Sequence, residues 1–284
     1  MLDGALALAV PTKFGQSLQA TPSDKNSVTW KSFNADESIW FSATFDLNTL
    51  SVLSSKASES KTSDRLSEIL KVAKHLNPDF LKSGVLVETH LDFPRNWGLG
   101  TSSTLINNIA NWAQVDAFEL LALTFGGSGY DIACAQHDTA ITYQNIDKTP
   151  IVNKVEFRPS FSDHLFFVHL NKKQDSRQGI AHYTSKKGTI DGAISEINSI
   201  TKQVIGCQSL ADFETLINKH ETIVSNILEV PTVQQRLFND YHGAIKSLGA
   251  WGGDFILVTG TPNDKDYFIQ KGYNTILDYN NMVV

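Results

Sequence analysis

The alternation Val85, Val87, Thr89, Leu91, Phe93 stops at Pro94. It passes through Gly98 and Gly100 and gives way to helical spacing at Leu105, Ile106, Ile109 and Ala113. A period of two marks a strand with one buried face, and a period near 3.6 marks an amphipathic helix. A glycine-rich loop therefore joins a strand to a helix that starts near Ser102. This confines the chain to an architecture in which strands and helices share a core.

The same switch of period recurs along the chain. Ile39, Phe41, Ala43 and Phe45 alternate as a strand. Leu66, Ile69, Leu70, Ala73 and Leu76 then keep helical spacing up to Pro78. A further helix is expected over 117–125, stopped by Gly126-Gly127. Beyond it, 165–170 reads as a buried strand. Two long amphipathic helices follow, one from Ile190 through Ile197 to Val204 and one from Leu210 through Leu216 to Ile227. A shorter helix ends near Lys246, a strand covers 255–258, and the tail 264–279 holds one more helix and strand. The Ser/Lys-rich stretch 54–63 reads as a loop. Residues 1–10 read as a strand, because Asp3 and the lack of a basic leader argue against a signal peptide. The fold class is α+β with two lobes, and the break falls between Tyr143 and Asp163; the division is drawn at 1–157 and 158–284.

A formal net charge of −6, from 24 basic and 30 acidic residues, argues against a nucleic-acid partner, which needs a concentrated basic face. No apolar run approaches the roughly 18 residues of a membrane span. The two cysteines, Cys134 and Cys207, lie far apart in apolar surroundings, so neither a disulfide framework nor a zinc site is expected. A cytoplasmic protein without a membrane or nucleic-acid partner fits these features, and a basic pocket inside an acidic protein leaves phosphorylated ligands open.

Three glycine-rich segments carry the chemistry. The first holds Pro94, Gly98, Leu99, Gly100, Thr101, Ser102 and Ser103. The second is Gly126-Gly127-Ser128-Gly129-Tyr130-Asp131, and the third is Gly249-Ala250-Trp251-Gly252-Gly253-Asp254. Glycines let a backbone approach a phosphate closely, and free N–H groups at a helix start favour an anion. The hydroxyls of Thr101, Ser102 and Ser103 suit phosphate oxygens or a magnesium ion. An isolated loop of this kind is also ordinary capping chemistry. There is no G-x-x-x-x-G-K-[ST] and no G-x-G-x-x-G, and Tyr130 stands where G-x-S-x-G needs its second glycine.

In this order and spacing the three segments resemble the GHMP kinases, the superfamily of galactokinase, homoserine kinase, mevalonate kinase and phosphomevalonate kinase. The middle segment is similar to the mevalonate and phosphomevalonate branch, and Gly129-Tyr130-Asp131-Ile132-Ala133 resembles a bacterial subgroup of it. The resemblance covers nearly the whole chain. It implies an N-terminal lobe like ribosomal protein S5 domain 2, a ferredoxin-like C-terminal lobe, and ATP- and Mg2+-dependent phosphorylation of a small molecule in isoprenoid precursor synthesis.

The resemblance also implies roles. The segment from Pro94 to Ser103 is the ATP phosphate loop, and Ser102 helps hold magnesium. Asp131 is the catalytic aspartate, acting as base or electrostatic anchor. Gly249, Ala250, Gly252, Gly253 and Asp254 shape the substrate and phosphate side, with Trp251 standing where a small residue is usual. Glu119 is the nearest acid for a second magnesium ligand and reads equally as an exposed helix residue. Arg95 and Lys13 are phosphate or substrate contacts or solvated charges. Trp97, Trp112 and Phe125 border adenine or pack in the core. Many relatives are dimers, so a homodimer is compatible, though no feature here demands one.

Relatives carry a Gly-Lys pair and Gly-Glu-[Tyr/His] upstream of a segment like Leu2-Asp3-Gly4-Ala5; here the lysine and glutamate are absent, and the expectation is an N-terminal lobe short of its first strand. Other readings are a GHMP kinase for a sugar or homoserine, a non-catalytic nucleotide-binding relative, and the related ATP-dependent decarboxylase.

Overall fold

The structure is a computed structural model. It describes residues 1–284 apart from Asp175, Lys187, Thr189, Ala250 and Gly252, and apart from the side chains of Ala57, Ser176 and Arg177. The chain runs through β1 (Ala7–Ala9), β2 (Gln16–Pro22), β3 (Ser27–Phe33), β4 (Ile39–Asp46), β5 (Val52–Ser55), α1 (Ser60–Leu76), β6 (Val85–Leu91), α2 (Thr101–Ala113), α3 (Ala117–Thr124), α4 (Tyr130–Ala135), β7 (Ile141–Ile146) and β8 (Thr149–Lys154). It continues with β9 (Leu165–His169), α5 (Ser176–Lys186), α6 (Asp191–Gly206), α7 (Leu210–Leu228), α8 (Val233–Leu237), β10 (Ile245–Ser247), β11 (Phe255–Thr259), α9 (Lys265–Gln270), β12 (Ile276–Asp278) and α10 (Tyr279–Met282).

Two compact units interleave along the chain. One holds Phe14–Arg95 and Gly100–Gln136, and is called the α2 unit below. The other, the β9 unit, holds Met1–Lys13, Asn96–Leu99 and His137–Val284. The boundary at 157 and 158 stays an expectation from the sequence, since this grouping is spatial.

In the α2 unit a five-stranded sheet runs β2-β6-β3-β4-β5. β3 lies parallel to β6, with Trp30 opposite Val87, and the other neighbours are antiparallel. The inward residues Val28, Trp30, Phe41, Phe45 and Val87 meet Leu70 of α1, Ile106 of α2 and Leu120 of α3 in one core. The alternation at Val85 places every second residue of β6 inside, as the strand period requires. α1 ends at Leu76, because Asn77, the residue before Pro78, is pushed out of the helical region into an extended conformation.

In the β9 unit a four-stranded sheet runs β10-β11-β9-β12 and a three-stranded sheet runs β1-β7-β8. Phe166 and Val168 of β9 pack with Ile256 and Val258 of β11, Phe238 and Phe268. The two long helices expected from spacing are α6 and α7. Among the described residues no helix is long and apolar enough to cross a membrane.

Three sequence expectations need correction. Residues 54–63 are not a loop: Ser54 and Ser55 lie in β5, and α1 opens at Ser60. Their serines satisfy one another locally, with the Ser63 hydroxyl bonded to the Ser60 carbonyl at 2.9 Å. No helix reaches Lys246; α8 stops at Leu237, and residues 245–247 pair with β11. The strand near the start is confined to Ala7–Ala9, because Gly4 turns the chain with φ of 81°.

Candidate functional site

The loop after β6 is built from both units in turn. Pro94 and Arg95 belong to the α2 unit, Asn96 to Leu99 to the β9 unit, and Gly100 onward to the α2 unit again.

In the α2 unit, Gly100 caps α2 with φ of 72° and ψ of 31°, a left-handed conformation that costs a glycine little. No side chain caps this helix start. The N–H groups of its first turn therefore keep their capacity for an anion, reinforced by the dipole of a 13-residue helix. Thr104 fixes the turn: its hydroxyl lies 3.2 Å from the Gly100 carbonyl and 3.0 Å from Oε1 of Gln16. Ser102 is exposed, while Thr101 and Ser103 are half-buried.

Ser103 hydrogen-bonds Asp131, which stands in the first turn of α4 behind the left-handed Gly129. The Asp131 side chain is accessible to solvent, yet protein crowds it and strips hydration from its charged form. That desolvation pushes its carboxyl above the usual aspartate value, and the Ser103 bond pulls part of the way back. Burial, with the charge of Asp131, pushes the nearby Cys134 thiol up to about 12. Cys134 is thus a protonated neighbour and no nucleophile.

In the β9 unit three consecutive loop residues are held. The Asn96 carbonyl accepts from Nε2 of His169 at 3.0 Å. Trp97 stands edge-on to Phe255 with ring centroids 5.5 Å apart. A Cβ on Gly98, whose φ is 71°, would lie 2.0 Å from Oδ1 of Asp254. Asp254 is itself held from several sides. Its N–H donates to the Lys172 carbonyl at 2.7 Å, its carbonyl accepts from Leu170 at 2.7 Å, and Oδ1 accepts from the Gln174 N–H at 3.1 Å. Burial pushes its carboxyl up, and the Gln174 bond opposes this. Leu99 is half-buried.

Gly249 is left-handed, with φ of 64°, and its missing Cβ would lie 3.5 Å from Oδ2 of Asp254. Gly253 has no room for a side chain beside Gln174 and Lys172. Ala250 and Gly252 lie outside the described residues. Trp251 adopts φ of 56° and lies near Tyr183, ring centroids 6.0 Å apart.

The remaining residues are placed as follows. Glu119 is exposed in the first turn of α3, where its N–H is bonded by the Asp116 side chain. Lys13 donates from Nζ to the Asn280 carbonyl at 2.7 Å. The Arg95 guanidinium sits 3.7 Å from the centre of the Trp40 ring. Trp112 packs edge-on to Phe80, and Phe125 lies under the Arg65 guanidinium at 5.1 Å, both against the α2-unit core. Among the described residues no three His, Cys, Asp or Glu gather to hold a metal. His169, absent from the sequence expectations, shows in the sequence only as one polar residue within the apolar run 165–170.

No protein-family model matches the sequence, and no curated protein does. Solved structures do. Mevalonate kinase from L. major, in complex with R-mevalonate, is 13% identical with a TM-score of 0.65, covering 96% of this chain and 88% of that one. A D-glycero-D-manno-heptose 1-phosphate kinase from Bacteriodes thetaiotaomicron is 11% identical with a TM-score of 0.66, covering 99% and 87%. Lactococcus lactis galactokinase complexed with galactose is 10% identical with a TM-score of 0.59, covering 95% and 83%. These likenesses show the two-lobe fold of the GHMP kinases.

Proposed function

We propose that this chain is a phosphotransferase of the GHMP kind, moving the terminal phosphoryl group of ATP to a small-molecule hydroxyl or phosphate. Mevalonate and phosphomevalonate are the leading acceptors, and a cytoplasmic place in isoprenoid precursor synthesis follows from them. The observation that carries the reading is the Ser103–Asp131 hydrogen bond. It joins the uncapped start of α2, which suits a triphosphate, to Asp131, the aspartate we assign to the acceptor.

The residues divide the work. N–H groups from Gly100 to Ser103 bind phosphate oxygens and preorganise the site for charge that spreads during transfer. Asp131 orients the acceptor hydroxyl and takes its proton. Magnesium, when bound, neutralises triphosphate charge. Among the described residues the Ser102 hydroxyl is the group we assign to it, beside the phosphate oxygens. Glu119 is a weaker candidate from its exposed position. Asp254, Gly249 and Gly253 shape the loop around Gly98.

The test is ATP-dependent phosphorylation across mevalonate, phosphomevalonate, homoserine, galactose and a heptose 1-phosphate, with phosphorylated products identified by mass spectrometry. One phosphorylated acceptor establishes the reading and its substrate. Nucleotide binding without any product favours a non-catalytic relative, and carbon dioxide release without phosphorylated product favours the decarboxylase.

A further inference from the structure

A second polar contact between α2 and α4 lies one helical turn beyond Ser103. Nε2 of Gln136, the residue that closes α4, donates to Oδ1 of Asn107 at 3.2 Å. Ser103 and Asn107 stand four residues apart on α2 and so share one face. Their partners, Asp131 and Gln136, stand in the first turn and at the C-terminal cap of α4. α4 is therefore tied to α2 at both of its ends, all within the α2 unit.

Two observations give this second contact a role beyond packing. Asn107 is 6% exposed and is the one polar residue among the buried residues of α2, the others being Ile106, Ile109, Ala110 and Ala113. A buried amide is costly unless bonded, and an aliphatic residue would fill the same place without that need. The second observation is the length of α4. Its six residues fall well below the roughly 12–15 at which a helix holds itself together in water, so its placement comes from what it touches. Ile132 and Ala133 are fully buried, and Ile132 joins the core that holds Ile106 and Ile109. Apolar burial is non-directional and fixes how close α4 lies, whereas a hydrogen bond weakens steeply as it bends. The Ser103–Asp131 bond alone leaves the helix free to roll about that contact. A directional contact at the far end removes the roll and sets the direction in which Asp131 leaves the helix.

We propose that Asn107 and Gln136 are positioning residues for Asp131, holding α4 in the orientation in which its carboxylate meets an acceptor. This inference rests on the phosphotransfer reading and deepens it by naming the groups that aim its aspartate.

Steady-state kinetics of Gln136→Met and Asn107→Leu test it, together with iodoacetamide labelling of Cys134 located by mass spectrometry. Both substitutions keep side-chain size and remove one partner of the bond. Gln136 is exposed, so its variant leaves the core intact. Each variant is expected to lower kcat about tenfold or more, the scale of a misaimed catalytic group, with KM for ATP within about twofold because the start of α2 is untouched. Cys134 sits on α4 between the two contacts, so release of the helix should expose it. In Gln136→Met its labelling should speed up about fivefold or more at an unchanged thermal midpoint. A kcat within about twofold of wild type in both variants overturns the proposal, as does a KM for ATP that rises in step with the fall in kcat. Unchanged labelling overturns it too, and needs no substrate to be seen. The two readings fail separately. A wild-type chain that phosphorylates no acceptor removes the phosphotransfer reading and the positioning role with it, whereas an active wild type matched by both variants removes the positioning role alone.

Discussion

The carboxylate of Asp254 occupies the space where a side chain on Gly98 would begin, with a Gly98 Cβ falling 2.0 Å from Oδ1. Two glycine-rich segments far apart in the chain thus fit against each other within the β9 unit. His169 and Phe255 hold the residues just before Gly98, so the loop is fastened at Asn96, Trp97 and Gly98 in succession.

Gly98→Ala is expected to destabilise the fold and to weaken nucleotide binding sharply. It forces a left-handed alanine, costing about 1–2 kcal/mol, and drives its methyl into Asp254. Removing the obstruction with Asp254→Gly separates these effects. The double variant Gly98→Ala/Asp254→Gly should lose less thermal stability than the two single losses summed. Additive losses would contradict the contact.

Much of this was legible in the sequence, and what was not has physical reasons. The strand–loop–helix passage into α2 and the helices α1, α3, α6 and α7 followed from period and punctuation. β3 was missed because Ser32 takes an inward position, where it accepts hydrogen bonds from Trp30 Nε1 at 3.1 Å and Thr89 at 2.8 Å. A satisfied polar residue in the core breaks the apolar pattern without breaking the strand. β10 escaped notice because Lys246 and Ser247 read as surface residues, and only α7 supplies their partner. Within the site, Gly98, Ser103, Asp131 and Asp254 could be read individually. Their pairings could not, since period and motif carry no information on which segments touch.

On the proposed function, the pH dependence of turnover should follow from Asp131. Desolvation raises its carboxyl, so on acidification protonation sets in above the usual aspartate range, and kcat/KM should fall there. The Ser103 bond favours the ionised form; Ser103→Ala should therefore move this acid limb to still higher pH. A limb that stays in place or moves down would sever the link between the two residues.

Acid stability rests on a buried cluster in the β9 unit. Burial alone would raise the Glu221 carboxyl. The Lys246 ammonium at 3.1 Å outweighs it, aided by His220 and by bonds from Ser247, and holds Glu221 down at about 2. Because the folded value lies below the ordinary 4.5, this stability is present above pH 4.5 and drains away as pH falls toward 2. Lys246→Ala strands a buried charge and should cost about 3–5 kcal/mol in denaturant unfolding at neutral pH. A loss below about 1 kcal/mol, the scale of a surface pair, would show that the cluster is solvated.

Cys134 should resist alkylation. With its thiol pushed up to about 12, iodoacetamide at mildly alkaline pH should modify it far more slowly than a free cysteine. Rapid labelling of native protein would contradict the crowded surroundings assigned to Asp131 and Cys134.

In the proposed function, Asp131 works on an acceptor beside a triphosphate held at the start of α2. The most direct measurement is single-turnover transfer of labelled terminal phosphate from ATP to mevalonate and to phosphomevalonate, by the wild-type chain and by Asp131→Asn. A labelled acceptor is expected with the wild type. The variant, which should still bind ATP, is expected to transfer about a hundredfold more slowly or worse. Equal transfer by both chains would remove Asp131 from the chemistry, and a wild-type chain that binds no ATP would contradict the proposed phosphotransfer.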